Sequence, residues 1–444
     1  MKLNKKLITL YDFCLNLTKS SSARQIFITF IFKILIVFVG FATAIILTRK
    51  LGPAGLGIYA VAGVIGTMGV KFTNLGINTA HTYFLSRDKN LASQIFMNSI
   101  IFSFIVSFIL LIFGLLFYKS IPNLISLNTL LIFLIFLWIL FSLIYLFLSH
   151  MIMAISDVSG FNWIELISKV AFLVLLVALI PFGTISVELA FILLLLTLVL
   201  GVFLCVFRLK TKVILKKFTP SLKLFKLSVK YGVRIFITTS LAYTILRLDT
   251  LIIDHFLGAA QTGYYAVSSR VFDMLTLLPA ALMTVLLPKM SSSKSIDDSI
   301  TLMKKSRLSL IIFYIPSLVI FAFLAKPLIL IFFGNEFLPS VIPMLILLPG
   351  VFFLGISNPL ILFLHSLGYP ISGIWAWVLT LIANISLNFI LVPKYGISGA
   401  ALAATLSQMI LYLALYLSVK YEIKKNYNKK TSLDKDMALI NGGM

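Results

Sequence analysis

Nine ionisable side chains interrupt otherwise apolar stretches: Lys33, Lys71, Glu165, Lys169, Arg234, Arg247, Asp249, Arg270 and Asp273. At bilayer depth a central Arg, Lys or Asp costs about 2.5–3.5 kcal/mol on insertion scales, so each needs a partner or a ligand. Glu165 and Lys169, four apart, and Arg270 and Asp273, three apart, can each form an ion pair on one helix face. Lys33, Lys71, Arg234 and Arg247 have no acid at that spacing, although Arg247 shares a face with Asp254 two turns away. Arg234, near a span boundary, can either snorkel to the interface or meet a ligand. Lys71, Asn74, Asn78 and His81 or Thr82 recur at helical spacing as a polar stripe. Facing lipid, such a stripe would be intolerable, so it should line a wet cavity. With Asp254 counted, six bases meet four acids, and that cationic excess suits an anionic cargo. The candidate binding residues are Lys33, Lys71, Asn74, Asn78, Arg234, Arg247 and Arg270, and Asp249, Asp273 and Glu165 are the candidate coupling acids.

These groups need a membrane scaffold. The chain has 444 residues, 60% hydrophobic and 11% charged, with a mean hydropathy of +1.09. Apolar runs long enough to span a bilayer follow one another near 25–48, 57–84, 91–118, 128–152, 161–180, 187–207, 232–256, 263–288, 308–325, 338–364, 372–392 and 397–419. The expected fold class is therefore all-α and polytopic, with about twelve transmembrane helices. Residues 1–23 read as a cytoplasmic amphipathic segment, 24–207 as a six-helix lobe, 208–231 as a basic cytoplasmic linker, 232–420 as a second six-helix lobe, and 421–444 as a disordered cytoplasmic tail. Most Lys and Arg fall in alternate loops, which places both termini inside. The net charge of +23 lies largely in those loops, where anionic lipid headgroups are the available partner and nucleic acid is not.

One segment occurs twice. Leu51-Gly52-Pro53-Ala54-Gly55-Leu56-Gly57-Ile58-Tyr59-Ala60-Val61 returns as Leu257-Gly258-Ala259-Ala260-Gln261-Thr262-Gly263-Tyr264-Tyr265-Ala266-Val267. Six spans separate the copies, so both cross in the same sense, as parallel repeats of secondary transporters do. The charges are not duplicated: Arg247 aligns with Phe41, Arg270 with Val64, and Lys71 with Leu277. Prolines interrupting spans (Pro279, Pro316, Pro343, Pro349 and Pro359) fall in the second half, which makes that lobe the candidate for bending. Gly63, Gly66 and Gly69 suggest a packing seam. No nucleotide-binding G-x-x-x-x-G-K-[ST] loop is present, and Cys14, Cys205 and four scattered histidines suggest neither disulfide nor metal, so no cofactor is expected.

The R-x-L-G-P-x-x-x-G-x-Y pattern at Arg49–Tyr59, R-L-D-T-L-I-I at Arg247–Ile253, L-L-P-K-M-S at Leu286–Ser291 and Y-G-I-S-G-A-A-L at Tyr395–Leu402 resemble the polysaccharide transporter family. These Wzx-like flippases belong to the superfamily of MATE exporters and lipid II flippases. The resemblance covers about residues 24–420 and implies two six-helix lobes around a cavity that opens alternately to each side of a bacterial inner membrane. It also implies an undecaprenyl-diphosphate-linked oligosaccharide as cargo, for O-antigen, capsule or exopolysaccharide synthesis. The cationic role is carried onto Lys33, Lys71, Arg247 and Arg270, and less firmly onto Arg234. A polysaccharide polymerase and assembly proteins are the implied partners. Two other readings stay open: a cation-coupled multidrug exporter using Asp249, Asp273 and Glu165, and a polytopic glycosyltransferase or polymerase. Short outer loops, poor in acids away from helix ends, weigh against the enzyme.

Overall fold

The computed structural model describes residues 21–117, 127–183, 185–212, 219–291, 295–368 and 370–441. Among them the chain is helical and has no strand. In order come α1 (Ser21–Thr73), α2 (Ile77–Arg87), α3 (Ala92–Phe117), α4 (Thr129–Ala154), α5 (Val158–Leu179), α6 (Val187–Lys212), α7 (Leu222–Leu257), α8 (Ala259–Ser291), α9 (Ile296–Leu328), α10 (Val341–Ser366) and α11 (Ile371–Asn441). The twelve expected spans are all here, two pairs of them partly fused. α1 runs through a kink at Gly52 (φ 64°) and α11 through one at Gly396 (φ 60°). The duplicated turn uses one device in both copies, since Gly258 (φ 79°), like Gly52, is in the left-handed region that favours glycine.

The chain divides into two compact units, Met1–Ser240 and Leu241–Met444, and the division falls within α7. The first half of α7 belongs to unit 1, which it enters through Ser221: its backbone N–H donates to Asn98 Oδ1 at 3.0 Å and its carbonyl accepts from Asn98 Nδ2 at 2.9 Å. Residues 1–20, most of the expected amphipathic segment, lie outside the described residues. The tail differs from expectation at its start. α11 continues past Tyr421, and Glu422 is buried, its Oε1 accepting from Ser372 Oγ at 2.8 Å, so the first turn of that segment is packed rather than disordered.

Each unit is built on one largely buried helix. α4 buries Leu131, Ile135, Ile139, Leu143 and Phe147, and α10 buries Leu347, Val351, Leu360 and Phe363. Lipid tails are as apolar as leucine, so close fit rather than water exclusion holds such helices together. Small residues supply that fit. A methyl group added to Gly66 or Gly69 would come within 2.7 Å of Trp138 or Ile139 on α4, and one on Gly355 within 2.2 Å of Tyr314. Gly63, the third member of the expected seam, faces open space.

Candidate functional site

The second span is not the continuous helix that its hydropathy predicts. Leu75 (φ 49°) and Gly76 (φ 71°) turn left-handed, separating α1 from α2. Asn74 caps this break: its Oδ1 accepts from the Gly76 N–H at 2.7 Å and its Nδ2 donates to the Lys71 carbonyl at 3.3 Å. It is 6% exposed, so Asn74 is a structural residue where a ligand was expected. No proline causes the break, and Asn-x-Gly within an apolar run was its only sequence signal. Gly232 of α7 packs against it. A methyl group on Gly76 would come within 2.2 Å of the Gly232 carbonyl oxygen, and one on Gly232 within 2.4 Å of the Gly76 oxygen.

Beside the break, Lys71 is half-buried, and Ser240 Oγ donates to its carbonyl at 3.4 Å. Its ammonium makes no ion pair or hydrogen bond among the described residues. His150 of α4, absent from the sequence-based candidates, lies close enough to feel the Lys71 charge. Two α2 side chains hold its ring: Asn78 Nδ2 is 3.2 Å from Nε2, and Thr82 Oγ1 is 3.2 Å from Nδ1. The polar stripe therefore splits, with Asn78 and Thr82 on His150 while His81 packs edge-on against Phe147 at 5.4 Å. A turn further along α2, Tyr83 stacks on Tyr231 of α7 at 4.4 Å, and the Arg87 guanidinium covers the Tyr83 ring at 4.1 Å.

Both ion pairs read from helical spacing are replaced by pairs between helices. Lys33 Nζ lies 2.7 Å from Glu165 Oε2 across the α1–α5 contact, in place of the expected Glu165–Lys169 pair. In unit 2, Arg247 of α7 meets Asp273 of α8 at 2.5 Å, in place of Arg270 with Asp273. Spacing reveals only which partners one helix can offer, and packing brings nearer ones from its neighbour. Arg270 is half-buried on α8, and the Arg234 side chain lies outside the described residues.

Asp249 is 4% exposed and accepts from the Tyr265 hydroxyl and, at 2.8 Å, from the Thr250 N–H. The corresponding pair in the first repeat copy is Thr43 and Tyr59, so only unit 2 holds the carboxylate. Asp249, Arg247, Tyr265, Asp273 and Gln408 line a cavity of about 20 Å³, room for one small occupant. A buried amide cluster that sequence reading missed joins the two limbs of α11. Asn384 Nδ2 donates to Ser407 Oγ at 3.1 Å, and Asn388 Nδ2 donates to the Asn384 carbonyl at 2.9 Å. Ser407 gives its own hydrogen to the Ala403 carbonyl, so each amide nitrogen is committed and the oxygens point elsewhere. Asn384 Oδ1, Asn388 Oδ1 and Gln408 Oε1 are buried acceptors with no donor among the described residues. Such orphans are costly unless water or a cation meets them.

One further charged contact secures unit 1. Asp157, in the α4–α5 turn, accepts a forked pair from Arg208 of α6, at 2.5 and 3.1 Å, and caps α5 through the Gly160 N–H at 3.0 Å. The Arg208 hydrogen bonds hold its carboxyl below the usual carboxylate range.

A helical multi-pass membrane protein with charges and amides buried among its spans has the build of a secondary transporter, and comparison with solved structures agrees on the fold. A lipid II flippase, MurJ, in an inward closed conformation superposes with a TM-score of 0.73 at 19% identity, covering 89% of this chain and 87% of that one. An inward-facing MATE-family multidrug transporter also gives 0.73, at 13% identity, over 88% of this chain and 95% of its own. The chain belongs to the polysaccharide biosynthesis protein family, whose profile matches residues 46–342. A Shigella flexneri relative, provisionally named an O-antigen transporter, is 21% identical over 366 residues, 80% of this chain and 88% of its own length.

Proposed function

We propose that the protein is a non-enzymatic flippase. It carries an undecaprenyl-diphosphate-linked oligosaccharide across a bacterial cytoplasmic membrane by alternating access, for O-antigen, capsule or exopolysaccharide synthesis, with both termini inside. The single observation behind this reading is Lys71: a half-buried cation at membrane depth, without a partner among the described residues and beside a helix break. Unpaired cations at that depth are costly unless they serve a ligand, and a diphosphate offers charge-assisted acceptors. Lys33 and Arg247 already have acids, which moves them from the cargo site to the scaffold.

Asp249 is the coupling acid on this reading, because Glu165 and Asp273 are held by Lys33 and Arg247. The orphaned Gln408 Oε1, whose residue lines the same cavity as Asp249, favours a small cation there. The basic loops meet anionic lipid, and a polysaccharide polymerase and assembly proteins receive the cargo. The test is translocation of a fluorescent prenyl-diphosphate saccharide in proteoliposomes. Lys71→Ala should abolish it at normal protein levels and Lys71→Arg should keep part of it. Full transport by Lys71→Ala would overturn the assignment.

A further inference from the structure

The polar cluster on α2 and α4 contains more than a charge. His150 uses both ring nitrogens on neighbours, so it cannot itself bind a ligand in this arrangement. What it does is fix Asn78. Thr82 Oγ1 lies 3.3 Å from the Asn78 carbonyl, four residues back, and gives its one hydrogen there. Its lone pair then accepts from His150 Nδ1–H, which leaves Nε2 as an acceptor. An acceptor at Nε2 requires the nitrogen of Asn78, so the carboxamide is held with Oδ1 and its second N–H turned away from the histidine. Asn78 is only half-buried, so the residue keeps part of its surface open.

A fixed carboxamide on His150, within electrostatic reach of an ammonium that makes no ion pair among the described residues, is a two-part recognition surface. The ammonium suits a phosphate. The remaining acceptor and donor of the carboxamide match a group that carries the complementary pair, namely an acetamido substituent together with its neighbouring hydroxyl, or two neighbouring hydroxyls. We infer that Asn78, positioned by His150 and Thr82, reads the sugar attached directly to the diphosphate held by Lys71. The inference rests on the flippase reading and deepens it: unit 1 discriminates between sugars, and His150 is a positioning residue.

The test is equilibrium binding of three soluble probes to the full-length protein in detergent: a short-chain prenyl diphosphate, its glucosyl derivative and its 2-acetamido-2-deoxyglucosyl derivative. Wild type should bind at least one sugar probe about tenfold more tightly than the bare diphosphate, the contribution of one to two hydrogen bonds. Preference for the acetamido probe alone identifies an acetamido reader, and equal preference for both sugars identifies a diol reader. Asn78→Ala and His150→Ala should weaken the preferred sugar probe by about tenfold and the bare diphosphate by at most about threefold. Retained binding of the bare probe shows that the variants fold. His150→Gln, which still offers Asn78 an acceptor, should restore part of the preference. A sugar preference that survives both alanine changes, equal weakening of all probes, or no preference in wild type would overturn the inference. Insensitivity of every probe to Lys71→Ala would instead remove the diphosphate anchor, so the two failures are distinguishable.

Discussion

Truncating either member of the Arg247–Asp273 pair leaves its partner with a charge and no counter-charge. A fully buried pair broken this way costs about 3–5 kcal/mol, whereas a fully exposed pair contributes about 0.2–1 kcal/mol. Here the side chains are 24% and 41% exposed and 2.5 Å apart, so water screens both without reaching either freely. We expect about 1–2 kcal/mol for Arg247→Leu or Asp273→Leu alone, and a coupling of about 1 kcal/mol recovered in the double variant. For a unit of this size that is a fall of about 2–8 °C in the unfolding midpoint for each single change. Thermal unfolding of the purified protein in detergent, followed by tryptophan fluorescence, gives all four corners of the cycle. Transport assays on the same proteins separate scaffold from site, because a structural pair removed as a pair leaves translocation in place. Additive single changes would refute the interaction, and a folded but inactive double variant would refute the structural role given to Arg247.

Three other outcomes follow from the geometry. Gly76→Ala and Gly232→Ala should each cost about 3 kcal/mol or more, since the added methyl meets backbone, while Gly63→Ala, in open space, should be neutral or slightly stabilising; unfolding midpoints decide. Asp157 is ionised more readily in the folded chain than in the unfolded one, where its value is about 3.9, so its contribution is complete above that pH and is lost as pH falls through its depressed folded value. Asp157→Asn should therefore lower stability by about 1 kcal/mol at neutral pH and flatten the loss below about pH 4, measured as midpoint against pH. If a cation meets the amide oxygens, sodium should raise the wild-type midpoint relative to choline at equal ionic strength, and Asn388→Leu should abolish that rise; a wild type indifferent to sodium would leave only water in the cluster.

The scaffold is legible in the order of apolar and polar residues. Long apolar runs must become helices in a bilayer, because only a helix satisfies every backbone group within its own segment, and this gave the spans and the duplicated turn at Gly52 and Gly258. That order also picked out Lys71, Asn78 and Asp249, because an ionisable or amide group in such a run stands out against its surroundings. Pairing was another matter. Along one helix Glu165 sees Lys169 and Arg270 sees Asp273, yet the carboxylates were taken by Lys33 and Arg247 from neighbouring helices. The break at Gly76 is held open by Gly232, more than 150 positions away, and His150 joins Asn78 only because α4 packs beside α2. The amide cluster was likewise invisible, since its polar groups are spread along α11 and meet only after the Gly396 kink folds that helix back. Hydropathy is a property of a segment and can be read locally, whereas the partner of a charge or an amide is whichever group packing brings within about 3 Å, and that depends on how the helices fold together.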